Sequence, residues 1–367
     1  MKIFHFIIGK ANKNRPNGVN QVIAGLCKYS SKNGQDIKVI GLASNAINQG
    51  EIEKRDSFEV SVYSKWTKSL FSDICKKVDW CDIVHLHGVY NLPNIIVSKI
   101  CNKMSVPYVL TLHNGLSPGL ANFKKPIFDL LIQKKFLESA AALHILTYEE
   151  LTDINKKCTP KRFIYSPNGI DPDDFNNYSF TKSIGSPKRN QVVLGYLGRI
   201  SKEKNIINLV NAIKRFSKKE NFLLKIAGPN SDYLQSILSK NSNISIDWVG
   251  PKYGNEKIDF INSLDIFVHP SKADVFSIAA MEALVIGTPL LITRKSKTSY
   301  FYDSKSFFMC EASDYGIFLG LNEAIDKKSE WHERSLNGQK LIKDIFNWDT
   351  ASKKLISGYE SILETDK

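Results

Sequence analysis

Short apolar runs alternate with amphipathic stretches along almost the whole chain. In the first half the runs are Lys2–Ile8, Asp36–Leu42, Asp82–His87, Tyr108–His113 and Ala142–Thr147. In the second they are Val192–Leu197, Leu223–Ala227, Ile244–Val249, Asp265–His269 and Pro289–Thr293. Helical spacing of apolar residues lies between them, as in Asn20–Asn33, Ile206–Phe216 and Ala279–Ile286. Near-continuous apolar runs separated by helices predict parallel strands buried on both faces. The alternation occurs twice, around a polar stretch rich in Pro, Gly and Asn from 168 to 190. The pattern therefore predicts an α/β protein of two Rossmann-like, doubly wound parallel-sheet domains facing a cleft. We assign residues 1–172 to the first domain, 173–189 to a linker and 190–347 to the second. From Phe346 the pattern is helical again, with Trp348, Leu355, Ile356 and Tyr359 as an apolar stripe.

Length and charge narrow the picture. A chain of 367 residues exceeds the usual size of one domain, which agrees with two. Six cysteines are scattered without C-x-x-C pairing, so a reducing compartment is expected and a structural zinc is not. The first apolar run is too short for a signal peptide or a membrane span, so we expect a cytoplasmic protein. The formal charge is +13, and residues 1–172 hold 23 Lys+Arg against 14 Asp+Glu. No nucleic-acid module accompanies this basic half, so nucleic acid is not an expected partner. An anionic membrane surface is, with Lys124, Lys125, Lys134 and Lys135 as its contacts.

The candidate chemistry concentrates in His269–Thr293, HPSKADVFSIAAMEALVIGTPLLIT. A strand leads into a polar turn carrying Asp274, and a helix starting near Phe276 carries Glu282, with seven residues between the acids. The helix N-terminus at Phe276, Ser277 and Ile278 offers backbone N–H groups to a phosphate. A carboxylate two turns on can accept hydrogen bonds from sugar hydroxyls, so the segment suits a sugar nucleotide. Gly198-Arg-Ile-Ser-Lys-Glu-Lys204 also follows a strand and precedes a helix. Arg199 presents a planar donor fork and Lys204 a point charge, a pair suited to a diphosphate. Gly18, after the first strand, permits close approach of backbone to a phosphate or sugar. Turns at Ala227-Gly228-Pro229 and Val249-Gly250-Pro251-Lys252 leave backbone groups free at strand ends, which makes Gly228 and Lys252 weaker candidates. His113 ends a strand in Thr111-Leu-His-Asn-Gly115, whereas His85 and His87 suit packing or cleft lining. These histidines lack the carboxylate or Cys that would complete a metal set. The D-x-D at Asp171 and Asp173 lies in the linker and is read as structural.

Taken in order, these motifs resemble those of GT4-family retaining glycosyltransferases of the GT-B fold, notably enzymes of bacterial surface-polysaccharide (O-antigen and capsule) assembly. Pro270-Ser271, Phe276, Glu282-Ala283, Gly287 and Pro289 match the family's E-x7-E segment. Asp274 replaces its first Glu, and Val275 and Ser277 replace two glycines. Gly198-Arg199…Lys204 resembles its G-R-x4-K-G segment, with Asn205 where glycine is common. Gly18 resembles its Gly-Gly loop, with Asn17 for the first glycine, and Thr111-x-His113 its T-x-H element.

The resemblance implies transfer of a hexosyl unit from a UDP- or GDP-linked sugar, as substrate, to an acceptor hydroxyl on a lipid-linked saccharide. No cofactor or metal is implied, and the setting is the cytoplasmic membrane face. Arg199 and Lys204 are then expected on the diphosphate, Glu282 on the ribose, and Asp274 and His113 near the sugar. The resemblance also implies a last helix, 348–367, that crosses back to the first domain. The alternatives are a GT-B-fold sugar-nucleotide epimerase and a non-catalytic sugar-nucleotide-binding protein, the latter suggested by Asp274.

Overall fold

A computed structural model describes residues 1–9, 18–44, 50–55, 57–113, 115–116, 132–175, 191–216, 221–296 and 305–365. Asn17, Asn114, Lys124, Lys125 and most of the expected linker lie outside these. The chain divides into two compact units, Met1–Gly169 with Trp348–Lys367, and Ile170–Asn347. The division falls at 169/170 rather than at 172, because Ile170 N–H donates to Phe346 O at 2.7 Å within the second unit. Pro172–Phe175, which straddles the end of the expected first domain and the start of the expected linker, forms a 3-10 turn of that unit and buries Phe175.

In the first unit an eight-stranded sheet has the order β3-β4-β2-β1-β5-β6-β7-β8. Its strands are β1 Lys2–Ile7, β2 Asp36–Leu42, β3 Ile52–Arg55, β4 Phe58–Tyr63, β5 Ile83–His87, β6 Tyr108–Thr111, β7 Ala142–Ile145 and β8 Phe163–Tyr165. Every pairing is parallel except β3 with β4. Strands β5, β6 and β7 are buried at every position, as helices on both faces require. β3 escapes the hydrophobic pattern because Ile52-Glu-Lys-Arg55 is a largely exposed edge, whereas β4, Phe58-Glu-Val-Ser-Val-Tyr63, does alternate apolar and polar residues.

The second unit has a six-stranded, wholly parallel sheet. Its strands are β9 Val192–Leu197, β10 Phe222–Ala227, β11 Ile246–Trp248, β12 Ile266–His269, β13 Leu290–Thr293 and β14 Phe308–Cys310. Their order, β11-β10-β9-β12-β13-β14, is the 3-2-1-4-5-6 arrangement of dinucleotide-binding folds. Ligands in such sheets bind outside the carboxyl ends of the strands where the winding reverses, here between β9 and β12.

The last helix, Trp348–Thr365, buries Trp348, Ala351, Ser352, Leu355, Ile356, Tyr359 and Ile362, a single face at helical spacing. It begins two residues later than its pattern suggests, since Phe346 is buried against Phe276 in the second unit. The helix belongs to the first unit, where its tight crossings depend on glycine. A Cβ on Gly25 would lie 2.3 Å from the Trp348 ring, and one on Gly358 would lie 2.7 Å from Ile164. Trp348→Ala is therefore expected to destabilise the first unit by about 3–5 kcal/mol, the usual cost of removing a core Trp. Urea titration of the intact chain measures this as a lowered midpoint, and a shift within experimental error would contradict it.

Candidate active site

At the switch point of the second unit, the turn after β9 is shaped by two glycines. Gly198 has φ +150°, and a Cβ there would sit 2.9 Å from the Tyr196 hydroxyl. A Cβ on Gly228, after β10, would sit 2.2 Å from Gly198 O, so the two turns touch backbone to backbone. Tyr196 Oη donates to Arg199 O at 2.6 Å and fixes the turn, while the Arg199 side chain is exposed. Asn205 follows with φ 63°, a left-handed conformation that Asn tolerates better than most residues. Its side-chain amide donates to Pro270 O (2.9 Å) and Ala312 O (2.7 Å), so this Asn ties the turn to the loop after β12. That is a physical reason for Asn at a position where glycine is common.

The loop after β12 brings Asp274 against that turn. Lys204 Nζ lies 2.5 Å and His269 Nε2 3.0 Å from the same oxygen, Asp274 Oδ2. Burial by itself raises the Asp274 pKa, but the His269 hydrogen bond and the Lys204 charge outweigh it and hold the carboxyl well below its usual range. Burial lowers the His269 pKa despite the carboxylate, so this imidazole is neutral at pH 7. It then donates Nε2–H to Asp274, leaving Nδ1 to accept from Ser277 Oγ at 3.4 Å. Ser277 Oγ in turn accepts from Ala280 N–H at 3.2 Å, capping the helix Ile278–Ile286. Lys204, Asp274, His269 and Ser277 thus form one connected, charge-balanced group at the helix N-terminus.

Helix Ile278–Ile286 ends at Gly287 (φ 83°) and is apolar nearly all round, so it is buried. The Phe276 ring faces inward on Phe346, which leaves that residue only its backbone for a ligand. Glu282 is 5% exposed and accepts a short hydrogen bond from Lys257 Nζ on the helix Gly254–Asn262. Burial raises the Glu282 pKa, with Lys257 working against it. Lys252 pairs instead with Glu256 at 3.7 Å and joins neither acid. His269 and Lys257 are parts that motif reading missed. His269 had a signal, as the last residue of a strand five residues before Asp274. Lys257 had none, since it reaches Glu282 from a separate helix.

In the first unit the switch point lies between β1 and β5, and there the sheet register gathers histidines. His5 pairs with His85, and His87 pairs with Thr111, which pairs with His144. With residues alternating between faces, all five side chains fall on one face. Their hydrogen bonds form two chains. In one, Tyr359 Oη meets His85 Nδ1 (2.5 Å), His85 Nε2 meets Thr111 Oγ1 (2.6 Å), Thr111 Oγ1 meets His144 Nδ1 (2.7 Å), and His144 Nε2 meets Ser166 O (2.8 Å). A carbonyl only accepts, so each proton in this chain points from Tyr359 towards Ser166. In the other, His5 Nδ1 meets His87 Nε2 at 3.0 Å, and His87 Nδ1 meets His113 Nε2 at 3.1 Å. His85 and His87, expected as packing or lining, are thus internal links of polar chains.

The nitrogens of His5, His85 and His87 lie within 4.8 Å of one another, close enough to consider a metal. The fit is poor. Both nitrogens of His85 and of His87, and Nδ1 of His5, already serve hydrogen bonds, and among the described residues no carboxylate joins the group to balance a divalent charge. Gly18 opens the helix Gly18–Lys32, and a Cβ there meets none of the described residues within 4 Å. Protein packing does not demand this glycine. Gly18→Ala is therefore expected to leave thermal stability unchanged, and a Tm lower by more than about 2 °C would show a structural role.

Comparison with known proteins agrees with this geometry. Residues 16–174 match the model of Glycosyltransferase Family 4, and residues 179–302 match that of Glycosyl transferases group 1. An uncharacterized glycosyltransferase of Methanocaldococcus jannaschii is 22% identical over 93% of both chains. The O-antigen biosynthesis glycosyltransferase WclY of Escherichia coli is 21% identical, over 93% of this chain and 97% of its own. Among solved structures, Anabaena HepE in complex with UDP superposes with a TM-score of 0.76 at 15% identity, covering 98% of this chain and 100% of that one. No described helix is long and apolar enough to cross a membrane. The chain belongs to the GT4-type glycosyltransferases and has their GT-B fold.

Proposed function

We propose that the chain is a retaining hexosyltransferase that moves a sugar from a UDP- or GDP-linked donor to a lipid-linked saccharide in bacterial surface-polysaccharide assembly. The observation that carries this reading is the Lys204–Asp274–His269–Ser277 group at the dinucleotide-type switch point, with Glu282 in the second turn of the helix that Ser277 caps. Arg199 and Lys204 would neutralise the departing diphosphate together with the helix N-terminus, replacing a metal by fixed electrostatics. Lys204 would be shared between Asp274 and phosphate, and Glu282 would accept from ribose hydroxyls. With Asp274 held by Lys204 and His269, the preferred route is substitution on one face through an oxocarbenium-like state, the leaving phosphate oxygen taking the acceptor proton. The polysaccharide setting is supported by the O-antigen enzyme of E. coli.

A thermal-shift screen of UDP- and GDP-sugars tests the reading. One donor class at about 100 times its Kd is expected to raise Tm by several degrees. No response to either class would overturn it, and loss of turnover with EDTA would overturn metal independence. Peripheral attachment to an anionic membrane, expected from the basic first unit, predicts weaker binding to anionic vesicles after charge reversal at Lys134 and Lys135.

A further inference from the structure

The two histidine chains of the first unit end differently. The one through His85 and His144 closes on the Ser166 carbonyl, so its protons are placed by the protein alone. The one through His5 and His87 runs outward to His113, the residue that ends the T-x-H element. We propose that His5 and His87 are positioning residues that fix the ring orientation and a single tautomer of His113. This rests on the reading of His113 as the group facing the transferred sugar.

Three observations converge. First, His113 has φ 47°, a conformation uncommon outside glycine, which persists only where its surroundings hold it. Second, His87 both bonds its Nε2 and stacks on its ring, with centroids 5.3 Å apart and planes 26° apart. Third, His5 and His87 are stacked as well, at 5.3 Å and 16°, and are 1% and 3% exposed, so no solvent reorients them. A neutral imidazole has one donor and one acceptor nitrogen. A proton order chosen at His5 is therefore imposed on His87 and then on His113. If His5 Nδ1 is the donor, His113 Nδ1 carries a hydrogen; if His113 Nε2 is the donor, His113 Nδ1 is left with a lone pair. For a group that must orient one sugar hydroxyl, that choice decides whether the hydroxyl is met as acceptor or donor. Burial first, and then repulsion from neighbouring rings including His144, lowers all three pKa values, so the rings are neutral at pH 7, as the arrangement requires.

The test uses the full chain with 15N-labelled histidine, reading the His113 ring nitrogens by NMR at pH 7, without ligand. The wild type is expected to show one pyrrole-like and one pyridine-like nitrogen. In His5→Phe and His87→Phe these signals should move toward the average of exchanging tautomers. His5→Asn, which returns a polar group near the Nδ1 position, should restore the wild-type pattern and covers the case in which His5→Phe does not fold. Release of UDP from UDP-glucose, or of GDP from GDP-mannose, should fall about tenfold or more in kcat in the Phe variants, with KM nearly unchanged. A wild-type His113 that already averages, or one unaffected by both Phe changes, overturns the relay. A wild type with a locked tautomer that turns over neither donor would instead count against the assigned function, because the NMR result needs no donor.

Discussion

Lowering the pH from 7 to 5 is expected to destabilise the first unit far more than the second. In an unfolded chain a histidine titrates near 6.5. In the folded unit, burial first and then repulsion between the rings push His5 and His113 down to about 3 and hold His85 and His87 well below 6.5. Burial also brings His144 to about 4, against a partly offsetting bond to Ser166. Between pH 6.5 and about 4 the unfolded chain therefore binds more protons than the folded one, so stability drops as the pH falls. Each such histidine removes up to about 1.4 kcal/mol per pH unit. Five together remove several kcal/mol over one unit, comparable with the whole stability of a domain. The second unit holds no comparable histidine cluster among its described residues: His269 has a lowered pKa, and Asp274, depressed below its unfolded value, gives stability that is retained until the pH falls below about 4. Calorimetry should show two transitions at pH 5 and a much smaller gap between them at pH 7. A first-unit transition that does not move over this range would contradict the picture of five buried, neutral rings.

Replacing the two acids is expected to separate chemistry from binding. Asp274→Ala removes the carboxylate that holds both Lys204 and His269, so Lys204 loses the fixed place from which it is proposed to neutralise the diphosphate. Misplacing one preorganised charge typically costs about 10²- to 10³-fold in turnover. Nucleotide affinity should change only a few-fold, because Glu282 and its partner Lys257 are untouched. Glu282→Ala should have the opposite pattern, weakening nucleotide binding by roughly ten- to a hundredfold through the loss of charge-assisted hydrogen bonds. Glu282→Gln separates the charge from the hydrogen bond and should fall between. Isothermal titration with UDP and GDP, alongside initial rates, distinguishes the two residues. If Asp274→Ala abolished binding and Glu282→Ala spared it, their roles would have to be exchanged.

The parts of the molecule that were legible in the sequence share one property: their signal is local. Strands such as β5 and β12 stand out because both faces are buried, and Asp274, Ser277 and Glu282 because one strand–turn–helix holds them all. What escaped depends on residues far apart along the chain. His5 and His87 are separated by 82 positions and meet only because β1 and β5 pair in a particular register. Lys257 finds Glu282 from another helix, and the exposed edge of the β3–β4 hairpin carries no apolar alternation. Asn205 is intermediate: its departure from glycine was visible, but its reason lies in two carbonyls 65 and 107 positions away.

The first unit is built from both ends of the chain, with the whole of the second inserted between Gly169 and Trp348. A chain growing from its N-terminus therefore exposes the surfaces meant for Trp348, Leu355 and Tyr359 throughout synthesis of the second unit. That inserted unit is complete first, and it can fold while the segment ahead of it still waits for its last helix. His85 must also wait for the Tyr359 hydroxyl, which arrives near the end. Translation that stops before Trp348 would yield a protein with the whole second unit present but the first left without its last helix and without the Tyr359 hydroxyl.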